Sequence, residues 1–120
     1  MVTTNYGKEN LALQLARSGT IPQYLAIGSG SGAVVPGLGS LVAEATTRTF
    51  YNGRDTSTSK KVTYTFSKSS VAMSGINLTE FGIGAGSTIS TQDLWNREGF
   101  EGLDFDGTIE AEYEIVFEVF

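Results

Sequence analysis

Four glutamates near the C-terminus share one side of a predicted strand, and carboxylates in pairs can do acid and base chemistry. They are Glu110, Glu112, Glu114 and Glu118. Glycosidases and aspartic proteases use such pairs. Here the even spacing makes neighbouring carboxylates repel, which favours a solvated face. Docking of a basic partner on this face is the alternative.

The segment from residue 28 to residue 40, GSGSGAVVPGLGS, has a spacing that could bind phosphate. Gly28, Gly30 and Ala33 match the GxGxxA pattern of dinucleotide sites, and they follow the apolar run YLAI. A phosphate-binding loop must continue into a helix, and Pro36 and Gly37 interrupt any helix here. We therefore predict a long surface loop and no bound cofactor.

Two other groups of residues could bind a ligand, and a structural role explains each of them better. Asp104 and Asp106, with Glu101 nearby, resemble the start of a calcium loop, but the remaining oxygen ligands are missing. We predict a turn with solvated carboxylates and no metal. An aromatic platform for a sugar could be built from Tyr51, Tyr64, Trp95 and Phe100. Core packing is the commoner role of such rings.

The composition removes most familiar hydrolase mechanisms. The chain has no His and no Cys, which removes Ser-His and Cys-His nucleophiles and thiolate zinc sites. We expect no enzymatic activity, and a glycosidase that uses carboxylates alone is the remaining enzyme hypothesis. Eight Lys and Arg against thirteen Asp and Glu give a net charge of −5, which opposes binding to nucleic acid. No apolar run approaches the roughly 20 residues that span a membrane.

Strands are the elements predicted to position these residues. Apolar and polar residues alternate from Ile109 to Val119, and Val62, Tyr64 and Phe66 alternate in the same way. Further strands are predicted at Tyr24–Ile27, Thr46–Tyr51, Val71–Met73, Ile76–Ile83 and, as an extended stretch, Asp93–Phe100. Asp106-Gly107 predicts a turn that makes the C-terminal end a hairpin. The pattern indicates a mainly β fold, an antiparallel β-sandwich or barrel-like domain.

One short N-terminal helix precedes the strands. Residues 7–18 are good helix formers, Leu11 and Leu15 lie one turn apart, and Gly19 would end the helix. A helical turn is also predicted at Leu41–Glu44. A chain of 120 residues fits one domain, which we divide into a helical segment at 1–20 and a β domain at 21–120.

The order of several short segments resembles that of small structural proteins of tailed phages, including domains of tail-fibre proteins. The segments are YLAIGSGSGAV, GLGSLVAEATTR, INLTEFGIGAG, DLWNREGF and the closing β run, and together they cover about residues 21–120. The resemblance implies a β-sandwich-like virion component that contributes shape and interfaces. A tail, neck or fibre-attachment role is the first expectation, and a capsid decoration protein is the second. A carbohydrate-binding module is the alternative of another class.

A virion protein of this kind would assemble with other virion proteins and is expected to form a homo-oligomer. It would be made in the host cytoplasm, in keeping with a start that lacks the segments of a secretory signal. The glycine-rich loop and the final strand are the predicted subunit contacts. The residues named for these contacts are Gly28, Gly30, Gly32, Val34, Val35, Pro36, Ile115, Phe117 and Phe120.

Overall fold

A computed structural model describes residues 2–15, 21–30, 37, 39–108 and 110–118, and they form two antiparallel sheets. In chain order the strands are β1 Val2–Thr3, β2 Tyr24–Gly28, β3 Thr49–Phe50, β4 Gly53–Asp55, β5 Lys61–Lys68, β6 Asn77–Gly84, β7 Leu94–Asp104 and β8 Ala111–Glu118. The helices are α1 (Asn5–Leu15) and α2 (Ser70–Met73). Sheet A has the order β1-β7-β6-β2-β3, and sheet B has the order β4-β5-β8. The predicted mainly β, antiparallel fold with a short N-terminal helix is confirmed, and the sheets do not close into a barrel.

The main hydrophobic core lies between the two sheets. Because successive residues of a strand point to opposite faces, the alternation seen in β5 and β8 directs every second side chain inward. Sheet A contributes Leu25, Ile27, Leu78, Ile83 and Trp95, and sheet B contributes Tyr64, Phe66, Ala111, Tyr113 and Ile115. Burying one large apolar side chain stabilises a fold by about 1.5–3 kcal/mol. The core therefore holds the two sheets together and fixes which face of β8 points outward.

The N-terminal segment belongs to sheet A. β1 pairs with β7, with Val2 opposite Arg97. Thr4 precedes α1, and its hydroxyl accepts a hydrogen bond from the N–H of Gly7 at 3.0 Å. Gly7 lies so close to Trp95 that an added Cβ would stand 2.4 Å from the Trp95 carbonyl oxygen. The backbone of α1 at Gly7 therefore packs directly on β7. Leu11 does not make this contact, since it is 56% exposed. The predicted end of the helix at residues 16–18 lies outside the described residues.

Three predicted elements differ from the structure. Residues 71–73 belong to helix α2 and not to a strand, because the Ser69 side chain caps the helix by accepting a hydrogen bond from the N–H of Ala72. Leu41–Glu44 forms no helical turn, and Glu44 makes an isolated bridge to Gly28. The C-terminal hairpin was also predicted wrongly. Strand β7 stays paired with β6 in sheet A, whereas β8 crosses to sheet B so that its apolar face meets β5 and the core.

The buried tyrosines of sheet B predict a loss of stability at alkaline pH. Burial raises the pKa of Tyr113 to about 12, and burial also raises the pKa of Tyr64. Above pH ~10 the unfolded chain ionises its tyrosines, whereas the folded state keeps these two phenols neutral. Their contribution to the free energy of unfolding is therefore complete below pH ~10 and is lost as the pH rises through about 12. We expect the urea midpoint of the wild type to fall between about pH 9 and about pH 11.

The matched variant Tyr113→Phe separates this effect from other titrations. Among the described residues the phenol donates only to the Met73 Sδ, at 3.6 Å, so its loss should cost little at neutral pH. The variant should show a flatter decline with pH than the wild type. Burial also lowers the pKa of Lys68. This shift acts in the opposite direction, because deprotonation of a buried lysine removes the cost of a buried charge and so stabilises the folded state as the pH rises. An equal decline in wild type and variant would contradict the assignment to Tyr113.

Candidate interaction surface

Strand β8 forms an open edge of sheet B. All eight of its residues pair with β5, from Ala111 opposite Lys68 to Glu118 opposite Lys61. No described strand pairs with its other side. In an antiparallel strand every second residue directs its N–H and C=O groups away from the existing neighbour. The free side of β8 therefore presents a row of backbone donors and acceptors that can pair with a further strand.

The outward face of β8 is acidic. Glu112, Glu114 and Glu118 are exposed, while Ala111, Tyr113 and Ile115 point into the core, so the predicted alternation is confirmed. Val116 is the one apolar residue of the outward row, and it is 38% exposed. Same-face neighbours stand about 6.8 Å apart along a strand, so the carboxylates of Glu112 and Glu114 are adjacent. Glu118 follows beyond Val116 and lies opposite Lys61. Glu110 is exposed and lies just before the strand. We call Glu112, Glu114, Val116 and Glu118 the acidic stripe.

A shallow recess of about 490 Å³ lies beside the acidic stripe, on the outer face of sheet B. Its polar walls come from the hydroxyls of Thr65 and Ser67, the amide of Asn52, and the carboxylates of Glu112 and Glu114. Register explains this composition, because Thr65 lies opposite Glu114 and Ser67 lies opposite Glu112. The recess provides hydrogen-bond acceptors and negative charge at one place.

Two of the predicted contacts on β8 have other roles in the fold. Ile115 is fully buried in the core, so its side chain contacts its own chain and only its backbone can reach a partner. Phe117 is half-buried, and its ring packs edge-on against Trp95 and Tyr64 at centroid distances of 6.3 and 6.1 Å. Phe120 lies outside the described residues. What β8 can offer a partner is its free backbone and the acidic stripe.

Glu80 anchors the start of the glycine-rich loop. This glutamate of β6 is 3% exposed. Its Oε2 accepts hydrogen bonds from the N–H groups of Gly30 at 2.9 Å and Ala43 at 2.8 Å. Its Oε1 accepts from the N–H of Val42 at 2.8 Å and from Nη2 of Arg97 at 3.4 Å. One carboxylate thus ties together two chain segments that lie on the face of sheet A away from sheet B.

The glycine-rich loop is described only in part. Gly28 is buried at the end of β2, and the N–H of Gly30 is already donated to the Glu80 carboxylate, whose charge opposes a bound phosphate there. The other predicted loop contacts are Gly32, Val34, Val35 and Pro36, and they lie outside the described residues. An interface role for this loop stays a prediction.

Arg48 forms a second buried network. Its Nε donates to Glu44 at 3.0 Å, and its Nη1 donates to Asp93 at 2.7 Å and to the carbonyl oxygen of Gly86 at 2.9 Å. Glu44 also accepts from the N–H of Ser90, and Asp93 accepts from the N–H of Gly86. Burial works to lower the pKa of Arg48, but the hydrogen bonds and charges of Glu44 and Asp93 outweigh it and raise that pKa. The network fastens the β6–β7 connection to the chain before β3.

These two networks were missed by sequence reasoning. Glu80 and Arg48 are charged residues among mostly apolar or small neighbours, which is the signal that could have indicated their burial, whereas Arg97 lies between Asn96 and Glu98 and carries no such signal. Their partners could not be identified because Gly30 and Glu80 are 50 positions apart and Arg48 and Asp93 are 45 positions apart. Four of the five short segments quoted in the sequence analysis, all except the closing β run, contribute residues to these two networks.

The carboxylates that resemble the start of a calcium loop make local hydrogen bonds. Asp104 accepts from the side-chain amide of Asn77 at 2.6 Å. Asp106 accepts from the side chain and the N–H of Thr108, and these bonds lower the pKa of Asp106. Gly107 has a φ of +92°, a conformation that favours glycine and completes this turn. Within the described part of the chain no three acidic residues are grouped to hold a metal ion.

Of the aromatic residues considered as a sugar platform, two are buried and one is half-buried. Trp95 is 6% exposed and Tyr64 is 5% exposed, so neither offers a flat face to solvent. Both line the inner wall of a cleft of about 800 Å³ that opens between the sheets beside α1. Tyr51 is half-buried and stacks on Phe50, and the Phe100 side chain lies outside the described residues.

Comparisons with protein families, with curated proteins and with solved structures find no match to this chain. In the described residues no helix has the length and apolar character needed to cross a membrane.

Proposed function

We propose that this protein is a non-enzymatic structural component of a tailed-phage virion, placed in the tail, the neck or a fibre attachment. It acts through interfaces with other virion proteins and with further copies of itself. The open edge of β8 is the observation that carries the proposal. An eight-residue strand with one free side supports a role in pairing with another chain, because such an edge is otherwise blunted or covered.

The virion context rests on the order of the short segments that resemble phage structural proteins. The non-enzymatic character rests on the side chains. The sequence lacks His and Cys. The buried Glu80 binds Arg97 and backbone N–H groups, and the buried Arg48 binds Glu44, Asp93 and the Gly86 carbonyl oxygen. Such contacts hold the loops in place. The free edge of β8 on sheet B suits a protein that is placed between neighbouring subunits.

Immunogold imaging of particles purified from the source tests the proposal. The antibody is raised against the recombinant chain, and particles probed with pre-immune serum are the control. We expect gold particles at the tail or at its junction with the head. Gold spread over the head would favour a capsid decoration protein. Particles without label would overturn a virion role altogether.

A further inference from the structure

We propose that the open edge of β8 binds an extended, lysine- or arginine-bearing segment of a different chain and does not pair with β8 of a second copy. This inference rests on the proposed function and names the chemistry of one partner at the same surface. It combines the free backbone edge with the charge of the acidic stripe.

The acidic stripe opposes pairing between two copies of β8. Two antiparallel β8 strands can be placed so that both outward faces lie on the same side and both core faces stay covered. The two-fold registers centred on the middle of the strand, from Tyr113 to Val116, each put glutamate opposite glutamate. A register centred on Ile115 places Glu112 against Glu118, and a register centred on Glu114 places that residue against itself. The registers centred on Tyr113 and Val116 oppose Glu112 to Glu114 and Glu114 to Glu118. Like charges directly opposite destabilise a strand pair.

The same stripe favours a basic partner. Glu112 and Glu114 take part in no ion pair within the described residues, so a cation on an added strand meets an unneutralised carboxylate. Val116 interrupts the charges and suits an apolar residue on the partner. An antiparallel partner would therefore carry basic, apolar, basic and basic residues at alternate positions opposite Glu118, Val116, Glu114 and Glu112.

A peptide with that pattern is the probe. It has the sequence Lys-Thr-Val-Thr-Lys-Thr-Lys with blocked ends and a fluorescent label, and binding to the full chain is followed by anisotropy. The wild type should bind it, and raising the salt from about 0.1 M to about 1 M should weaken binding because the Debye length falls from about 10 Å to about 3 Å. A peptide with glutamate in place of each lysine should not bind. Absence of binding by the lysine peptide overturns the inference.

Charge variants locate the site. The triple variant Glu112→Gln, Glu114→Gln, Glu118→Gln should bind the lysine peptide between about threefold and about 100-fold more weakly, as three exposed ion pairs predict. It should also self-associate in sedimentation experiments, because the repulsion between β8 edges is removed. The matched control Glu9→Gln, Glu98→Gln, Asp104→Asn makes the same charge change on α1 and β7 and should keep the affinity of the wild type. Equal weakening by both triple variants would contradict a site on β8.

Backbone methylation tests strand addition separately from charge. Two versions of the lysine peptide carry N-methyl groups on the two alternate sets of amides. A strand that adds to β8 uses only one of its edges, so one version should lose binding and the other should keep it. Equal binding by both would show attraction by charge without strand pairing and would overturn the inference. Labelled particles combined with no peptide binding would leave the proposed function standing, whereas unlabelled particles overturn that function whatever the peptide does.

Discussion

Replacing Glu80 with alanine should lower the free energy of unfolding by about 3–5 kcal/mol, the range found when one partner of a buried ion pair is removed. The Arg97 guanidinium is 1% exposed, and its Nε and Nη1 have no hydrogen-bond partner, so Glu80 supplies its one compensating charge among the described residues. Three backbone N–H groups lose their acceptor at the same time. Each buried donor left unpaired adds to the cost.

Urea unfolding at neutral pH measures this effect, and Glu9→Ala on the exposed side of α1 is the control, expected within about 0.5 kcal/mol of the wild type. The double variant Glu80→Ala, Arg97→Met should recover part of the loss, because it removes the uncompensated charge but not the unpaired amides. Hydrogen exchange should accelerate at Gly30, Val42 and Ala43 in Glu80→Ala. A single variant as stable as the Glu9→Ala control would contradict the anchoring role.

The interface proposal depends on this loop anchor only indirectly. Glu80 and its partners lie on sheet A, whereas the acidic stripe lies on the outer face of sheet B. A variant that loosens the anchor should therefore keep its affinity for the basic peptide as long as the core between the sheets remains folded. Substitutions at the loop anchor on sheet A should thus change stability, whereas substitutions in the acidic stripe on sheet B should change partner binding.

Strands with strict alternation could be predicted from the sequence because a single local rule decides them. Tyr64 and Phe66 of β5, and Tyr113 and Ile115 of β8, are buried as the pattern predicts. The same rule predicted the outward glutamates. It could not predict which strand pairs with which, and the C-terminal hairpin was wrong for that reason. The pairing of β8 with β5 depends on the apolar faces that meet in the core, not on the turn at Asp106.

Local preferences also misled where a single hydrogen bond decides the conformation. The β-branched Val71 favours a strand, but the Ser69 cap starts a helix there. In α1 two leucines lie one turn apart, yet Leu11 is exposed, while Gly7 approaches Trp95 and Asn10 is buried. Only one of the two features of the candidate interaction surface could be predicted from the sequence. The acidic row followed from alternation, but the free edge beside it became evident only from the sheet order.

Replacing Arg48 with methionine should lower the free energy of unfolding by about 3 kcal/mol, because it leaves the carboxylates of Glu44 and Asp93 without their cation. Asp93 is partly exposed, which places this loss at the low end of the range for buried pairs. Arg48→Lys keeps the charge but cannot hold Glu44, Asp93 and the Gly86 carbonyl with one planar group. It should lose less stability than Arg48→Met and more than a surface control.

The amides that lose protection distinguish the Arg48 network from the Glu80 anchor. Hydrogen exchange should accelerate at the N–H groups of Gly86 and Ser90, which are donated to Asp93 and Glu44, while Gly30 and Val42 stay protected. Glu80→Ala should give the reverse pattern. Full stability in Arg48→Lys would show that charge alone suffices and that the planar hydrogen-bonding geometry of arginine is dispensable. Faster exchange at all four amides in both variants would instead mean that the two networks unfold as one unit, so that sheet A cannot lose one loop while it keeps the other.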